Sequence, residues 1–586
     1  MIKNNYFSDN EDLVTHFNEL IDWKEVVEAY EGPGFSDAQE YEKTGNERQA
    51  FAPATVEDAV EYYRATMDAV GELSGHELAQ YAQVMDHKGL KFENGKVIKP
   101  AEMLEVYEKF KAAGLLPFKN ARDYGGLGLP ASAHAIFTEV VTRADTSFGM
   151  TMGLMAVSEI IAEYGTHEQA EEYVTKVTAG DYVGSMSLTE PNYGSDLSSV
   201  QTKAVKQEDG SYKLTGTKRF ISQGCGMGEY PSVILTLART GAPGSGARGL
   251  SLFIVKSTDV EIASIEHKMG IHCSPTCEVV YDNSHGEIIG REGFGLTRYA
   301  MGMMNDARIS VAALGIGVGC AAYYEGAKYA SEREQFGRTI DQIPAVRRML
   351  DRMERENVAM RLLTGEAGRG IDLSLYRKRR MEKDGMEERA LKKDEELRRW
   401  DRLASLFTPM AKFYCSEKGV ELASDGIQIH GGAGYTEEYD VARIYRDSRI
   451  NTVYEGTTQL QVVAAIGGIT AGMSSTGFFR RWVDDEMARS NPSDFTRKML
   501  EMLEESIEIY KGLDGQAEKD RLAFEVVNIA CRFASGLLFD RAVTRVSADK
   551  KERFERMARD YHIDSVAQAQ GDLYRMREGS KVAAAV

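Results

Sequence analysis

The sequence has few cysteines for its length. Six occur among 586 residues: Cys225, Cys273, Cys277, Cys320, Cys415 and Cys531. This number is too small to hold a chain of this size together through disulfides. His272 precedes Cys273, but no second pair of ligands follows at the spacing of a structural zinc site. We therefore expect neither a disulfide scaffold nor a metal site.

Positive charge is scarce relative to negative charge. The chain carries 71 Lys and Arg against 90 Asp and Glu, which gives a formal net charge of −19. A protein that binds nucleic acid normally presents an excess of basic residues on one face. We attribute the acidity to solubility and expect no nucleic-acid partner.

Long uninterrupted apolar runs are absent. The two most apolar stretches are TSFGMTMGLMAVSEIIAEYG, which contains a glutamate, and the shorter ISVAALGIGVGCAAYY. Both fall below the ~18–20 clean apolar residues that a membrane span needs. The N-terminus, MIKNNYFSDNEDLV, lacks the basic-then-apolar order of a signal peptide. We expect buried helices, no stable membrane insertion and a cytoplasmic location.

Two glycine-rich segments lack the features of nucleotide-binding loops. The segment GAPGSGARG, residues 241–249, does not end in Gly-Lys-Ser/Thr. The segment GIGVGC, which begins at Gly315, has the spacing G-x-G-x-G and no preceding strand. The first predicts a flexible hairpin tip, and the second predicts close packing between helices.

What the chain does contain is a change of periodicity along its length. Helical spacing marks TVEDAVEYYRATMDAV, where Thr55 is the expected N-cap, and AEMLEVYEKFKAAGL, which ends at Gly114. Short β-branched segments such as SVILTLART and LSLFIVKS predict antiparallel strands. One core cannot serve a chain of this length, so we predict a multi-domain α+β protein. Its expected parts are a helical domain over 1–183 with an extension over 1–55, a β domain over 184–293, a helical domain over 294–466 and a helical extension over 467–586.

Two segments near the start of the β domain are candidates for ligand binding. SMSLTEPNYGSDLSS, Ser185 to Ser199, predicts a loop rich in hydroxyls and backbone donors. In TGTKRFISQG, the run from Phe220 to Ser222 could stack on a flat ring and hydrogen-bond its edge. A hydrophilic connector and a half-buried strand are the alternatives.

Two further segments lie in the second helical region. In ASEREQFGRTI, Arg333 could contact a phosphate with its guanidinium fork, or form a surface salt bridge at a helix end. In GIQIHGGAGYT, Gly431 and Gly432 would let the backbone approach a ligand closely, or form a plain turn.

The segment NTVYEGTTQLQ contains one carboxylate, Glu455, followed by an apolar helix-like run. Acidic residues stabilise helix N-termini, so a surface role at a helix start explains its position. Burying an ionised carboxylate without a partner is costly, so a buried Glu455 would need a chemical purpose. These residues alone leave both explanations open.

The order of these segments resembles the acyl-CoA dehydrogenase family over roughly residues 60–466. The resemblance depends on LTEPNYGSD, Phe-Ile-Ser at 220–222, SEREQFGR, QIHGGAGY and VYEGTTQLQ. It implies an N-terminal helical domain, a middle antiparallel β-barrel-like domain and a C-terminal four-helix bundle. The length, the N-terminal segment, SPTC and the C-terminal extension resemble a long subgroup that includes 3-methylmercaptopropionyl-CoA dehydrogenase-like enzymes.

The resemblance implies FAD-dependent α,β-dehydrogenation of an acyl-CoA, with Glu455 as the base for the α-proton and Arg308 fixing its carboxylate. The implied contacts to FAD are Met186, Leu188, Thr189, Gly194, Ser195, Phe220, Ile221, Ser222, Arg333, Phe336, Gln428, Gly431, Gly432, Thr457 and Gln459. The implied contacts to acyl-CoA are Ser195, Asn305, Arg308, Tyr454 and Gly456.

The resemblance also implies partners and leaves alternatives. The expected electron acceptor is an electron-transfer flavoprotein, and the expected assembly is a homo-oligomer, a dimer rather than a tetramer because of the extension. An acyl-CoA oxidase would use the same residues with O₂, and a DNA-associated flavoprotein of the same fold would need a basic C-terminal domain. Three residues depart from the family pattern: Phe220 replaces Trp, Asn305 replaces Asp, and Ile343-Pro344 replaces a Gln that contacts FAD. The identity of the acyl group in the substrate stays open.

Overall fold

The structure, a computed structural model, describes residues 3–155 and 157–583. The side chains of Met303, Asn305 and Asp306 and of residues 580–583 lie outside that description, so the prediction for Asn305 does as well. The contacts group the chain into two compact units. The first unit comprises Met1–Phe7 and Phe35–Ser310, and the second comprises Ser8–Gly34 and Val311–Val586. The division into four domains stays a prediction.

Helices make up most of the described chain. The α-helices are α1 Glu11–Thr15, α2 Trp23–Glu31, α3 Ser36–Thr44, α4 Val56–Glu72, α5 Ala82–Lys88, α6 Ala101–Ala112, α7 Ala131–Ala144, α8 Thr146–Leu154, α9 Val157–Tyr164, α10 His167–Gln169, α11 Thr175–Thr178, α12 Met301–Glu332, α13 Pro344–Ile371, α14 Arg377–Lys383, α15 Glu388–Leu391, α16 Glu395–His430, α17 Asp440–Ser448, α18 Thr458–Gly472, α19 Phe478–Arg489, α20 Asp494–Lys511, α21 Gln516–Arg545 and α22 Ala548–Ala583. Single π-helical turns occur at His16–Leu20, Leu73–Leu78, Ala170–Val174, Gly295–Ala300 and Asp372–Tyr376.

The strands concentrate in the first unit. They are β1 Lys91–Glu93, β2 Lys96–Ile98, β3 Val183–Ser187, β4 Lys203–Lys206, β5 Tyr212–Ser222, β6 Ser232–Arg239, β7 Leu250–Lys256, β8 Glu261–Ile265 and β9 Thr276–Ile289. A short hairpin in the second unit adds β10 Glu334–Gln335 and β11 Arg338–Thr339.

The pairings of β4, β5, β6, β7 and β9 close a ring. β6 pairs with β4 and β7, β9 joins β7 to β5, and β5 pairs back to β4. β8 adds to β9, and β3 pairs with β6. Leu214, Phe253, Val279 and Tyr281 fill the core of this sheet. The barrel-like β domain expected from the sequence is confirmed.

The start of the predicted loop at Ser185–Ser199 is a strand, so that part of the prediction is wrong. β3 pairs in parallel with β6, with Met186 opposite Leu235. Its residues are small and polar, which hides the strand pattern, but the parallel pairing buries Ser185 and Ser187 completely. The segment becomes irregular after Ser187.

Two helix ends follow the predicted local chemistry. The Thr55 side chain caps α4 by accepting a hydrogen bond from the backbone N–H of Asp58 at 3.1 Å. Gly114 has φ +67 just beyond the end of α6, a left-handed conformation that glycine adopts without a Cβ penalty.

The hairpin β1–β2 was not predicted, although its signal is present. Phe92 pairs with Val97 across a two-residue turn at Asn94 and Gly95, whose φ values are +53 and +75. Asn-Gly between alternating apolar and polar residues is the strongest short hairpin signal. The hairpin is short and exposed, so no apolar run revealed it.

The glycines of α12 lie against other helices, as GIGVGC predicted. A Cβ at Gly315 would approach the carbonyl oxygen of Cys415 to 2.4 Å, and one at Gly319 would approach Asn357 Oδ1 to the same 2.4 Å. Larger residues would therefore push α16 and α13 away from α12.

The C-terminal extension is helical, as expected, and packs within the second unit. α21 contacts α13 and α18, and α22 contacts α13, α20 and α21. The described residues include two helical segments, Ala307–Glu332 and Gln516–Arg545, that are long and apolar enough to cross a membrane by composition, and most of the apolar stretch in each is buried. Burial of this kind is ordinary for helices in the core of a protein.

Candidate active site

The structure brings together the two candidate segments of the first unit. Ser185 Oγ donates a hydrogen bond to the carbonyl oxygen of Ser222 at 2.8 Å, joining β3 to the end of β5. The backbone N–H of Arg219 donates to the carbonyl of Thr189 at 3.0 Å. These bonds place the segments that begin at Met186 and at Phe220 side by side.

A buried ion pair between Lys218 and Glu190 stabilises these two segments. Lys218 Nζ donates to the carbonyl of Leu188 at 2.8 Å and lies 3.0 Å from Glu190. Glu190 also accepts hydrogen bonds from the N–H groups of Gln201 and Thr202. Burial lowers the pKa of Lys218 to about 8, against the opposing effect of Glu190. Both residues therefore hold Leu188 and Thr189 in place.

The end of β5 turns sharply at the surface. Phe220 has φ +62, uncommon for a non-glycine residue, and its side chain is 55% exposed. The Arg219 guanidinium lies 5.0 Å from the Phe220 ring centre and forms an ion pair with Glu266 at 2.7 Å. Backbone outliers concentrate at functional sites, where the surrounding structure holds them.

The predicted contacts of the first unit differ in exposure. Leu188 and Ile221 are buried, and Gly194 and Ser195 are exposed. Met186, Thr189 and Ser222 are partly buried. An exposed aromatic ring beside hydroxyls and free space at glycine suits a flat ring with polar edges.

Glu455 lies in the second unit, in a left-handed turn before α18. Its φ is +52 and that of Gly456 is +89. Gln461 Nε2 donates to the carbonyls of Glu455 at 3.1 Å and Gly456 at 2.9 Å, and Lys412 Nζ donates to the Gly456 carbonyl at 2.7 Å. Gln461 and Lys412 are fully buried. These bonds fix the backbone of the turn, and the Glu455 side chain is partly buried.

Tyr454 is the neighbour of this carboxylate. Desolvation raises the pKa of its phenol well above the usual range, and the charge of Glu455 raises it further. The phenol is therefore neutral at ordinary pH and donates to Asn451 Oδ1 at 3.2 Å. Val453, the residue before Tyr454, is 47% exposed.

Thr457 caps α18 and accepts a hydrogen bond from the N–H of Leu460 at 3.4 Å. The Gln459 side chain is exposed on the first turn of the same helix. The start of α18 thus lies two residues after Gly456, where its dipole favours a nearby negative charge.

A second patch of the same unit joins the predicted segments around residues 333 and 430. The rings of Tyr329 and His430 stack with centres 4.3 Å apart. Arg333, Phe336 and Gln428 are exposed, Phe336 by 91%. A Cβ at Gly431 or Gly432 would meet nothing within 4 Å. An exposed guanidinium beside open glycine backbone suits a phosphate-bearing ligand.

Arg308 lies on α12 and belongs to the first unit, where its side chain is buried. Its predicted action on Glu455 stays a prediction.

Sequence reasoning missed the residues that hold these segments. Lys218 and Lys412 act on carbonyl groups distant along the chain, at Leu188 and Gly456. Glu190 pairs with the distant Lys218, while Gln461 bonds to the nearby carbonyls of Glu455 and Gly456 without any sequence motif to mark it. Only the cost of burying a Lys or Glu without a partner could have drawn attention to them.

Two other polar groups have structural explanations. Cys273 Sγ contacts the carbonyl of Met85, and no metal-binding group of three His, Cys, Asp or Glu occurs among the described residues. In the extension, Asp540 and the Thr496 hydroxyl both contact the same nitrogen, Nε2 of His562. A catalytic relay needs the acid and the hydroxyl on opposite ring nitrogens, so this cluster holds the start of α20.

Three family models match the chain in order. They are acyl-CoA dehydrogenase, N-terminal domain, at residues 61–181; middle domain, at 185–284; and C-terminal domain, at 293–383 and 386–466. Their span agrees with the extent of the resemblance found in the sequence.

Two relatives are informative. A 3-methylmercaptopropionyl-CoA dehydrogenase of Ruegeria pomeroyi is 36% identical over 442 residues, which cover 72% of each chain. A caffeyl-CoA reductase-Etf complex subunit of Acetobacterium woodii is 32% identical, over 63% of this chain and 89% of that one.

A solved structure extends the likeness beyond the family models. An acyl-CoA dehydrogenase of Bacillus anthracis complexed with FAD aligns with a TM-score of 0.71 at 20% identity. The alignment covers 89% of this chain and 88% of that one, so the shared fold reaches beyond the residues that the family models match.

Proposed function

The chain belongs to the acyl-CoA dehydrogenase family, and on this premise we propose that it oxidises the Cα–Cβ bond of an acyl-CoA thioester to the trans-2-enoyl-CoA. Its cofactor is FAD. The observation that carries the proposal is the turn at Glu455, which is strained and fixed through its backbone by two fully buried side chains. Strain of this kind persists only where neighbours enforce it, and it concentrates at functional sites.

Glu455 removes the α-proton through a carboxylate oxygen. The α-proton of a thioester is weakly acidic, so the base must be held in position while the developing enolate is stabilised. Gln461 and Lys412 supply the positioning, and the neutral Tyr454 adds an uncharged wall to the pocket. When bound, FAD supplies the acceptor for the hydride that leaves Cβ. Arg308 orients the Glu455 carboxylate.

The first unit holds the flavin ring. Met186, Leu188, Thr189 and the run from Phe220 to Ser222 line it, with the Ser222 hydroxyl at its edge. The buried ion pair of Lys218 and Glu190 keeps Thr189 at this position, because Lys218 donates to the carbonyl of the preceding residue, Leu188. Gly194 and Ser195 contact the cofactor where the loop is open, and Ser195 with Asn305 also contacts the CoA side.

The second unit contributes the remaining contacts. Thr457 and Gln459 meet the flavin directly after the base, while Tyr454 and Gly456 meet the acyl group. Arg333, Phe336, Gln428, Gly431 and Gly432 hold the phosphate and adenine side. Phe336 and Tyr435 are 91% and 88% exposed, which supports burial of this patch by a second copy of the chain. A homodimer is favoured over a tetramer.

Electrons leave through an electron-transfer flavoprotein. The Etf complex that contains the Acetobacterium woodii relative supports this partner. Acyl-CoA oxidase activity is the competing function. Rapid mixing of the reduced enzyme with air distinguishes them, because slow reoxidation supports the dehydrogenase and fast peroxide formation contradicts it.

The test of the base is Glu455→Gln. A panel of short, branched, aromatic and thioether acyl-CoAs is first screened for the one that bleaches the wild-type flavin fastest. With that substrate, the variant should reduce its flavin at least ~100-fold more slowly, the lower range for losing a general base. Glu438→Gln, which removes an exposed carboxylate, is the control. Bleaching of Glu455→Gln at the wild-type rate would assign the proton to another residue.

A further inference from the structure

Cys225 lies in a tight turn that follows β5. The turn begins with Gln223 at φ +58 and ends with Gly226 at φ +80. It is anchored because Gln223 Nε2 donates to Thr151 Oγ1 at 2.7 Å and the Gln223 N–H donates to the Pro275 carbonyl at 2.9 Å. Cys225 is partly exposed, unlike the other five cysteines, which are buried.

A buried cation faces this sulfur. Lys99 Nζ lies 3.5 Å from Cys225 Sγ and donates to the Gly226 carbonyl at 2.6 Å. Lys99 is only 8% exposed. Lys99 follows directly after the hairpin β1–β2 and precedes Pro100, the N-cap of α6, so the chain enters this contact from a fixed direction. A cation screened little by water stabilises a thiolate strongly.

A second thiol completes the cluster. Cys277, the second residue of β9, pairs with Ile221 of β5 and is fully buried. It belongs to the buried core cluster against which Cys225 packs. A Cβ built on the intervening Gly224 would lie 3.6 Å from the Cys277 Cβ, so the turn passes directly over this residue.

These neighbours act in opposite directions on the two sulfurs. The hydrogen bond from Cys277, followed by the charge of Lys99, outweighs burial and lowers the pKa of Cys225 to about 6. Cys277, as the donor and a buried group, has its pKa raised. The sulfur of the partly exposed Cys225 is thus a nucleophile, and the buried Cys277 nearby is a protonated thiol.

We propose that Cys225 is a modification site for hydroperoxides, and that Cys277 is its resolving partner in a reversible disulfide. Three features support this assignment: the partial exposure of Cys225, the buried Lys99 ammonium at 3.5 Å, and the Cys277 thiol in the core cluster against which Cys225 packs. The low-pKa, accessible thiol next to a resolving Cys is the arrangement found at redox-sensing cysteines.

The chemistry balances in two steps. The Cys225 thiolate attacks the O–O bond of hydrogen peroxide, which takes up one proton and leaves as water, and the sulfur becomes a sulfenic acid. The Cys277 thiol then attacks that sulfur and loses its proton, the S–O bond breaks, and a second water leaves. The disulfide forms with peroxide as the oxidant, and a dithiol such as dithiothreitol reduces it again.

The pKa of Cys225 gives the rate at which it should react at pH 6 relative to an ordinary exposed thiol. An ordinary thiol with a pKa near 8.5 is roughly 0.3% ionised there, whereas a thiol with a pKa of about 6 is roughly half ionised, a gain of ~150-fold. The weaker basicity of that thiolate reduces its intrinsic reactivity by roughly 10-fold. Cys225 should therefore react about 10-fold faster than an ordinary exposed thiol.

The first test measures alkylation of the FAD-loaded protein by iodoacetamide between pH 5 and 8, followed by peptide mapping. Cys225 should be labelled with a midpoint near pH 6, and Lys99→Met should move that midpoint upward. A midpoint near 8.5 in the wild type, or no change in Lys99→Met, would overturn the proposal.

The second test applies hydrogen peroxide and reads intact mass. The wild type should lose two mass units and yield a linked Cys225–Cys277 peptide that dithiothreitol reverses. Cys277→Ser should stop at a sulfenic acid on Cys225 that dimedone traps, and Cys225→Ser should leave Cys277 unmodified. Cys273→Ser, a matched change of a buried cysteine, should behave as wild type.

Flavin absorbance and melting temperature establish that the variants are folded. If the wild type shows no linked peptide, or Cys225→Ser oxidises at Cys277 as fast as the wild type, the pair is structural and the proposal fails. This outcome is separate from the assignment of Glu455, because neither readout depends on turnover.

Discussion

Two glutamates of the second unit, Glu366 and Glu455, are held in opposite ways. Glu366 is fully buried, and its carboxylate accepts from Trp482 Nε1 at 2.8 Å and pairs with Arg369 and Arg541, each at 3.1 Å. Glu455 is held by its backbone, since Gln461 donates to the carbonyls of its turn. In the first case the contacts fix the charge, and in the second they fix the chain.

This difference separates a structural carboxylate from a candidate base. Burial opposes ionisation of Glu366, but Arg369 and Arg541 outweigh it and lower its pKa to about 2. A group held in that way cannot take a proton at neutral pH. A base must exchange protons, and the Gln461 contacts position the turn of Glu455 through its backbone carbonyls.

Glu366→Gln should give the largest effect on stability. Removing one charge leaves Arg369 and Arg541 in a buried site with less compensation, a change that typically costs 3–5 kcal/mol. The free energy of unfolding, measured with urea, should fall by about that amount while the remaining folded enzyme still reduces its flavin normally. Glu388→Gln, which breaks an exposed pair with Lys392, should have little effect. An unchanged urea midpoint for Glu366→Gln would contradict a stabilising role for the ion pairs of Glu366 with Arg369 and Arg541.

Acid should remove the same contribution. The pKa of Glu366 is lower in the folded state than its usual value of 4.5, so its stabilisation is present above pH ~4.5 and is lost as pH falls towards ~2. The full contribution is roughly 3 kcal/mol, since one unit of pKa corresponds to about 1.4 kcal/mol. The stability difference between wild type and Glu366→Gln should therefore be constant from pH 7 to 5 and shrink below pH 4.5. A stability difference that grows as the pH falls would contradict the prediction, because it would mean that folding raises the pKa of Glu366.

Gln461→Met tests whether the backbone contacts of Glu455 position this residue for catalysis. The change keeps the volume and removes both donors to the turn of Glu455. Misplacement of a reacting group by about 1 Å can cost 100-fold, so the rate of flavin reduction should fall by roughly 10–100-fold with little change in substrate affinity. Thr470→Val is the control on the same helix, because Thr470 bonds only to its own helix among the contacts described. An equal loss of affinity and rate would indicate general disruption.

The sequence predicted the helices and strands more completely than the side chains that hold them in place. The helices of the extension, the Thr55 cap and the strands β6 and β7 follow from periodicity and turn chemistry. The strand β3 did not, because small polar residues in a parallel pairing lack alternation. The Asn94-Gly95 hairpin was readable from its turn residues and was overlooked because its strands have three residues each.

The candidate site shows the same limit. The order of the segments predicted where ligand contacts would lie, and these contacts stay a prediction. The structure places Ser185 against Ser222 and Tyr329 against His430. Nothing local marks Glu366 as the partner of Trp482 and Arg541, since these long-range bonds depend on the packing of α13, α19 and α21. The departure at Ile343-Pro344 has a local reason, because Pro344 is the first residue of α13 and its fixed φ suits that position.

Arg489→Ala should give the smallest effect and set the boundary of the network. Arg489 lies 3.5 Å from Glu486, as Arg541 lies 3.1 Å from it, but the Arg489 side chain is 58% exposed and that of Arg541 only 12%. Water screens the exposed pair, and holding a long side chain costs entropy, so such pairs typically contribute less than ~1 kcal/mol. We expect a loss below ~0.5 kcal/mol in urea unfolding, against several for Arg541→Ala, which leaves Glu366 and Glu486 short of a shared partner. Equal losses would mean that proximity alone, and not burial, decides what these carboxylates contribute, and the contrast with Glu455 would then need another cause.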